Sequence, residues 1–180
     1  MSSVVVARDG AVATVTLNNP ARLNALNKPM WQALGEAMRE LSADDDLRCV
    51  VLRGAGDKAF AAGADIAEFA TERADSIQAK SYGDLRICGE SSRFGVPIKN
   101  LGLTMGYGEL IGVLALVGRA VALEILLEGR VFGAAEAYAK RLVNRVVPDG
   151  EVERETQATA ERIAAGAIIR RIETRVAFVP

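Results

Sequence analysis

Two β-branched runs open the chain. Val4-Val5-Val6 and Val12-Ala13-Thr14-Val15-Thr16-Leu17 flank Arg8-Asp9-Gly10, and Asp-Gly between such runs predicts a hairpin, because that pair accepts the backbone of a tight turn. Asn18-Asn19-Pro20 ends the second strand. Asn27 stands at an N-cap position with Pro29 in the first turn behind it. Met30, Leu34, Met38 and Leu41 then recur at helical spacing, which predicts a helix of about three turns with one apolar stripe. Asp44-Asp45-Asp46 reads as a solvated turn. Cys49-Val50-Val51-Leu52 is short and apolar throughout, the pattern of a strand covered on both faces. It runs into Gly54-Ala55-Gly56 and then Phe60-Ala61-Ala62-Gly63-Ala64-Asp65-Ile66.

Residues 67 to 82 are polar, and Leu85-Arg86-Ile87-Cys88 is a second short apolar run. Gly95, Pro97, Gly102, Gly106 and Gly108 predict loop. A helix is expected from near Glu109 to Val117 and another from Arg119 to Glu128, with Gly129 placed to stop it in a left-handed conformation. Ala134 to Leu142 reads as a third helix, Val143 to Pro148 as its extended exit, and Glu151 to Ala165 as a charged helix. Beyond Gly166, Ile168, Ile172 and Val176 fall on one helical face. Strands first, mixed elements next and helices last predict an α/β or α+β arrangement. A core over 1–148 and a helical segment over 149–180 are expected.

Composition narrows the chemistry. With 22 Lys+Arg against 23 Asp+Glu, the formal net charge is −1, so no basic face for nucleic acid or an anionic membrane is expected. The apolar run Leu110–Val117, interrupted by Gly112, is far shorter than the ~20 residues of a membrane span. The N-terminus lacks the basic and apolar regions of a secretory signal, and a cytoplasmic location is expected. The chain has no His. That excludes Ser-His-Asp and Cys-His nucleophiles, His-containing metal sites and imidazole as a base. Cys49 and Cys88 lie far apart among apolar residues and read as buried thiols. No metal site is expected.

The segment Phe60 to Ile66 carries the most chemistry. Small residues let backbone approach a ligand, and outward-pointing amides can hold an oxyanion without a charged side chain. On local sequence alone, a tight strand-to-helix connection capped by Asp65 is the favoured reading. Its company decides. Arg22-Leu23-Asn24-Ala25-Leu26-Asn27 precedes it. Arg93-Phe94-Gly95-Val96-Pro97, Leu101-Gly102-Leu103, Leu123-Glu124-Ile125-Leu126-Leu127-Glu128-Gly129-Arg130, Ala134-Ala135-Glu136-Ala137 and Leu142-Val143-Asn144-Arg145-Val146-Val147-Pro148 follow. In this order, from about Val4 to Ala165, these strings resemble the enoyl-CoA hydratase/isomerase (crotonase) family.

The resemblance implies an α/β fold, a crotonase-like spiral of ββα units followed by a C-terminal helical module, assembled as a homotrimer or dimer of trimers. It implies an acyl-CoA thioester as substrate, coenzyme A arriving as part of it, and no other cofactor. Two backbone amides of this family hold the thioester oxygen in an enolate-like state. By position Ala64 matches the first donor. Leu23, Ala25, Ala62, Gly63, Asp65 and Ile66 match the path of adenine and pantetheine.

Two departures stand against this frame. The family places a strand, a Gly-rich loop with the second amide, and a helix bearing a catalytic Glu between Lys80 and Leu85. Here only Ser81-Tyr82-Gly83-Asp84 stands there. Losing the covering helix is expected to expose Val50–Leu52 and Leu85–Ile87. About 500 Å² of apolar surface would be worth on the order of 12 kcal/mol, comparable to a whole domain's stability. This favours a natural chain that includes the block over a truly shortened protein, and a chain break at Ser81–Asp84 would support it. The second hydratase Glu normally follows the Pro of Phe-Gly-x-Pro, and here Ile98 does. Glu109, beside Gly106-Tyr107-Gly108, is the candidate shifted acid/base, although a Glu at a helix N-terminus is also favoured by the dipole alone. Glu68 and Glu90 read as surface charges. The expected activity is enoyl-CoA hydratase or isomerase. The alternative is a non-catalytic acyl-CoA-binding or oligomerisation member. The string Gly106 to Gly112 also resembles a dinucleotide fingerprint, but its last spacing is one residue too long and no clean strand precedes it.

Overall fold

The computed structural model describes residues 3–63, 85–101, 107–166 and 175–179, with the side chains of 99, 101–109 and 175–179 outside the description. Strand β1 (Val4–Asp9) pairs antiparallel with β2 (Val12–Leu17), Asp9 opposite Val12. Gly10, at φ 56, takes the turn as its missing Cβ permits. Asn27 caps helix α1 (Lys28–Ser42) by accepting the Met30 N–H at 3.0 Å. The expected stripe is buried at Met30, Leu34 and Met38. β3 (Cys49–Gly54) runs parallel to β2 and is buried along most of its length. β4 (Leu85–Gly89) and β7 (Arg145–Val147) are parallel neighbours, and β5 (Arg93–Phe94) and β6 (Phe132–Gly133) form a small separate ribbon.

The main sheet has the order β1-β2-β3-β8-β4-β7, and β8 (Arg175–Val179) is the surprise in it. Helical spacing predicted Val176 on a helix face; instead the segment is a strand in the middle of the sheet. It runs parallel to β3, with Val176 level with Val51, and parallel to β4, with Phe178 level with Ile87. The reason is backbone satisfaction. β3 and β4 each present a row of N–H and C=O groups to the gap between them, and only an extended segment pairs both rows. Arg-Val-Ala-Phe-Val, with its β-branched and aromatic members, suits that task.

This arrangement also corrects the expected exposure. Val50 (9%), Val51 (5%), Leu52 (9%) and Ile87 (2%) are all buried. α1 covers one face, where Met30, Leu34 and Met38 pack with Val15, Leu17, Val50 and Leu52. Helix α4 (Val152–Ala164) covers the other, where Val152 and Ala160 meet Val12, Cys49, Val51 and Ile87. The seam Ser81–Asp84 itself lies outside the described residues.

Helix α2 (Tyr107–Glu128) merges the two expected helices, starting at Tyr107 rather than Glu109, and breaks at Gly118 (φ 76, ψ 168) between them. Gly129 ends it at φ 59, its N–H bonded to the Ile125 carbonyl at 3.1 Å. Helix α3 (Ala134–Ala139) stops short of the expected Leu142, because Arg141 turns left-handed and the Leu142 N–H returns to the Ala137 carbonyl. Within α2, Leu110–Glu128 spans 19 residues at a hydropathy of 2.3 with 11% buried. By length and composition that is enough to cross a membrane, beyond what the apolar run alone suggested. The break at Gly118 divides it into two pieces, each shorter than a span.

Candidate functional site

The site grows from two loops at the exits of β2 and β3. After β2, a 3₁₀ turn over Pro20–Arg22 delivers Leu23 and Asn24, both left-handed at φ 51 and φ 54. After β3, Ala55 bonds back to the Leu17 carbonyl at 2.8 Å and the chain turns toward Ala59. The two loops then run side by side. The Ala62 N–H donates to the Leu23 carbonyl at 2.9 Å, and the Leu26 N–H donates to the Gly63 carbonyl at 2.8 Å. Between these bonds Ala62 and Gly63 lie exposed. Gly63 sits at φ 98, and no described atom lies within 4 Å of a Cβ built on it. A strip of small residues is thus held from behind and open in front, as a site that binds through its main chain requires.

Beside the strip lies a cleft of about 130 Å³ lined by residues that include Pro20, Leu23, Asn24, Ala55, Lys58 and Ala59. Leu23 is 44% exposed at its lip. Lys58 and Asp57 are exposed there too. The cleft is smaller than the 300–1,000 Å³ typical of sites that enclose a whole ligand, so it suits one end of a long one.

Of the residues singled out in the sequence, the structure brings together Leu23, Ala25, Ala62 and Gly63. Ala25 is half-buried and its carbonyl accepts the Asn19 Nδ2 at 3.3 Å. Ala64, Asp65 and Ile66, with Glu68, lie outside the described residues, as does the side chain of Glu109. Glu109 is placed only as backbone in the first turn of α2. Ile98 is half-buried in the 3₁₀ turn Pro97–Leu101. Among the described residues that turn, rather than a strand, precedes α2, whereas a dinucleotide fingerprint follows a strand. Glu90 is exposed in the turn that directly follows β4, as expected of a surface charge. Among the described residues no His/Cys/Asp/Glu group of three or more is arranged to hold a metal.

Sequence reasoning passed over Asn24, Gly54 and Lys58. Asn24 is 1% exposed, and an Asn four residues past an Asn-Pro turn was the available signal, since Asn tolerates the left-handed region better than most residues.

Comparison with known proteins agrees with this geometry. A model of the enoyl-CoA hydratase/isomerase family matches residues 78–176, and a second of the same description matches residues 12–82. A short-chain-enoyl-CoA hydratase of Clostridium acetobutylicum is 29% identical over 203 residues, covering 93% of this chain and 77% of the relative. A probable enoyl-CoA hydratase of Mycobacterium bovis is 32% identical, covering 90% and 75%. Among solved structures, an enoyl-CoA hydratase/carnithine racemase from Magnetospirillum magneticum is 46% identical at a TM-score of 0.84, covering 93% of this chain and 76% of that one.

The chain belongs to the enoyl-CoA hydratase/isomerase family, and its fold is the crotonase fold. Its function is that of an acyl-CoA hydratase/isomerase. The alignment with the clostridial enzyme is longer than the 180 residues of this chain, so the relative carries residues that have no counterpart here. The two family matches meet at 78–82, where the sequence lacks the expected strand, loop and helix.

Proposed function

We propose that this chain takes 2-enoyl-CoA thioesters and either hydrates them or shifts their double bond, through an enolate held by main-chain amides. The observation that carries the reading is the exposed Ala62–Gly63 strip, pinned from behind by two backbone hydrogen bonds. In hydration, a carboxylate takes a proton from water as the water oxygen bonds to C3, the C2=C3 electron pair moves to leave the charge on the thioester oxygen, and the carboxylic acid so formed returns the proton to C2 as the enolate collapses. Amides aimed at that oxygen lower the barrier because charge develops there only as the reaction proceeds. In this reading the Ala64 amide is one donor. Leu23, Ala25, Ala62, Gly63, Asp65 and Ile66 border the coenzyme A chain, whose nucleotide end enters the cleft beside Lys58. Glu109 moves the proton in place of the carboxylate that Ile98 replaces. Coenzyme A belongs to the substrate, and no other cofactor takes part in this chemistry.

The protein works in the cytoplasm as a homotrimer or dimer of trimers, in keeping with the apolar side chains that α2 leaves uncovered, Ile111 at 65% and Leu127 at 70% exposed. Ile98 favours a second reading, a member that binds acyl-CoA without turning it over. The two readings part on one experiment. Incubation with crotonyl-CoA, followed by loss of the enone absorbance, is expected to show turnover that Glu109→Gln reduces by 10²-fold or more. Retention of CoA ester without turnover selects the binding role, and Glu109→Gln at wild-type rate removes Glu109 from the mechanism.

A further inference from the structure

Asn24 is buried, polar and held in a backbone conformation that few side chains adopt. Its carboxamide makes three hydrogen bonds, all to main chain. Nδ2 donates to the Ala59 carbonyl at 2.7 Å and to the Ala55 carbonyl at 2.9 Å. Oδ1 accepts the Asn19 N–H at 3.0 Å. Its own N–H donates to the Asn19 carbonyl at 2.9 Å. Both amide protons are therefore committed to the protein. The orientation of the carboxamide follows, since only the NH₂ end can face two carbonyls.

Those bonds join three segments: the loop after β2, the exit of β3, and the start of the strip that ends at Gly63. Gly54 shows how tight the crossing is. A Cβ there would lie 2.4 Å from the Ala59 carbonyl oxygen, 2.5 Å from that of Phe60 and 2.7 Å from Asn24 Nδ2. The absent side chain at Gly54 is the space through which Asn24 reaches Ala59. Downstream, the Leu23–Ala62 and Gly63–Leu26 bonds continue the same seam. The strip thus hangs on a short chain of fixed contacts with Asn24 at its head.

The geometry points to Asn24 as a positioning residue that sets the placement of the Ala59–Gly63 strip through its two carbonyl contacts, and so tunes how strongly the amide that follows the strip, that of Ala64, polarises a bound thioester. This rests on the reading above, in which the Ala64 amide, next along the chain from the strip, donates to the thioester oxygen. Misplacement by an ångström is enough to lose much of an oriented contact.

The test uses Asn24→Asp and Asn24→Gly in the full chain. Aspartate keeps the shape but turns a carboxylate oxygen toward the carbonyls of Ala55 and Ala59. Glycine keeps the left-handed backbone and removes the three bonds. Two readouts are paired: steady-state kinetics with crotonyl-CoA, and the absorption of a 4-dimethylamino-cinnamoyl-CoA probe, which moves to the red when its thioester carbonyl is polarised. The wild type is expected to bind the probe with a red shift. Asn24→Asp is expected to lower kcat at least 10-fold with KM within threefold, and to lose most of the shift while the probe's Kd stays within threefold. Should Asn24→Asp fail to fold by circular dichroism, Asn24→Gly carries the same two expectations. A wild-type shift and kcat in the folded variant, or a change in KM alone, overturns the positioning role. A wild-type protein that neither shifts the probe nor turns over substrate overturns the reading of the strip, and this inference with it.

Discussion

Single residues here are constrained by what surrounds their backbone more than by their own chemistry. Gly54 has no room for a methyl group against the carbonyls of Ala59 and Phe60. Gly54→Ala is expected to lower unfolding stability by about 2 kcal/mol, as overpacking does, and to reduce thioester turnover with it. Chemical denaturation beside the crotonyl-CoA assay checks both. Cys49, 1% exposed on β3, has its thiol pKa pushed up to about 11 by burial away from water. Folding therefore favours the protonated thiol. That stability is fully present below the unfolded value near 9 and is lost as pH rises through 9 toward 11. At roughly 1.4 kcal/mol per unit the loss is at most about 3 kcal/mol. Urea unfolding at pH 8 and pH 10.5 is expected to show a decline that Cys49→Ala makes shallower. The surface carboxylates Glu124 and Glu136 move the other way, held below their ordinary value first by hydrogen bonds from Lys140 and Arg130 respectively. Their contribution is present above the ordinary carboxylate range and fades as pH falls below it. Both groups are half-buried with open access to water, and salt screens them in part.

Among the elements, β8 has the largest consequence for its length. Without it, β1-β2-β3 and β4-β7 share no backbone pairing in the sheet order. Ala177 is level with Leu52 on one side and Arg86 on the other. Proline in a central strand removes a ladder donor and clashes with its neighbour. Ala177→Pro is expected to lower stability by about 1–3 kcal/mol, the cost of leaving a buried ladder carbonyl unpaired, read as a fall in thermal midpoint by far-ultraviolet circular dichroism. A melt unchanged by that substitution would remove β8 from the sheet. At the other end of the scale, Asn27→Ala removes one cap bond, to the Met30 N–H, and is expected to cost about 1 kcal/mol.

For the whole molecule, α2 is the element least accounted for by this chain alone. Ile111, Leu123, Leu127 and Val131 are exposed, at 65%, 39%, 70% and 61%. Next to this apolar surface lies an ion network in which Arg130 meets Glu128 at 2.6 Å and also Glu136, and Lys140 meets Glu124 at 2.7 Å. Arg130 also stacks over the Phe132 ring, 5.5 Å from its centroid. A charged rim beside an apolar patch is the composition of a protein–protein contact. Leu127→Glu is expected to shift the mass by light scattering from oligomer toward monomer. A monomeric wild type refutes the proposed trimer.

Local order is what the sequence determined. The hairpin at Asp9-Gly10, the Asn27 cap, the Met30/Leu34/Met38 stripe, the break near Gly118 and the stop at Gly129 all depend on contacts within a few residues, so spacing and residue type reveal them. The family strings likewise pointed to the Leu23–Ala25 and Ala62–Gly63 segments. The tertiary structure decided the rest. Helical spacing misplaced Val176 because the demand for an extended strand came from β3 and β4, more than 80 residues upstream of it. Asn24 looked ordinary because its partners at Ala55 and Ala59 lie 31 and 35 residues away. Periodicity records what a segment does to its own neighbours; unpaired backbone groups elsewhere in the fold leave no mark on it.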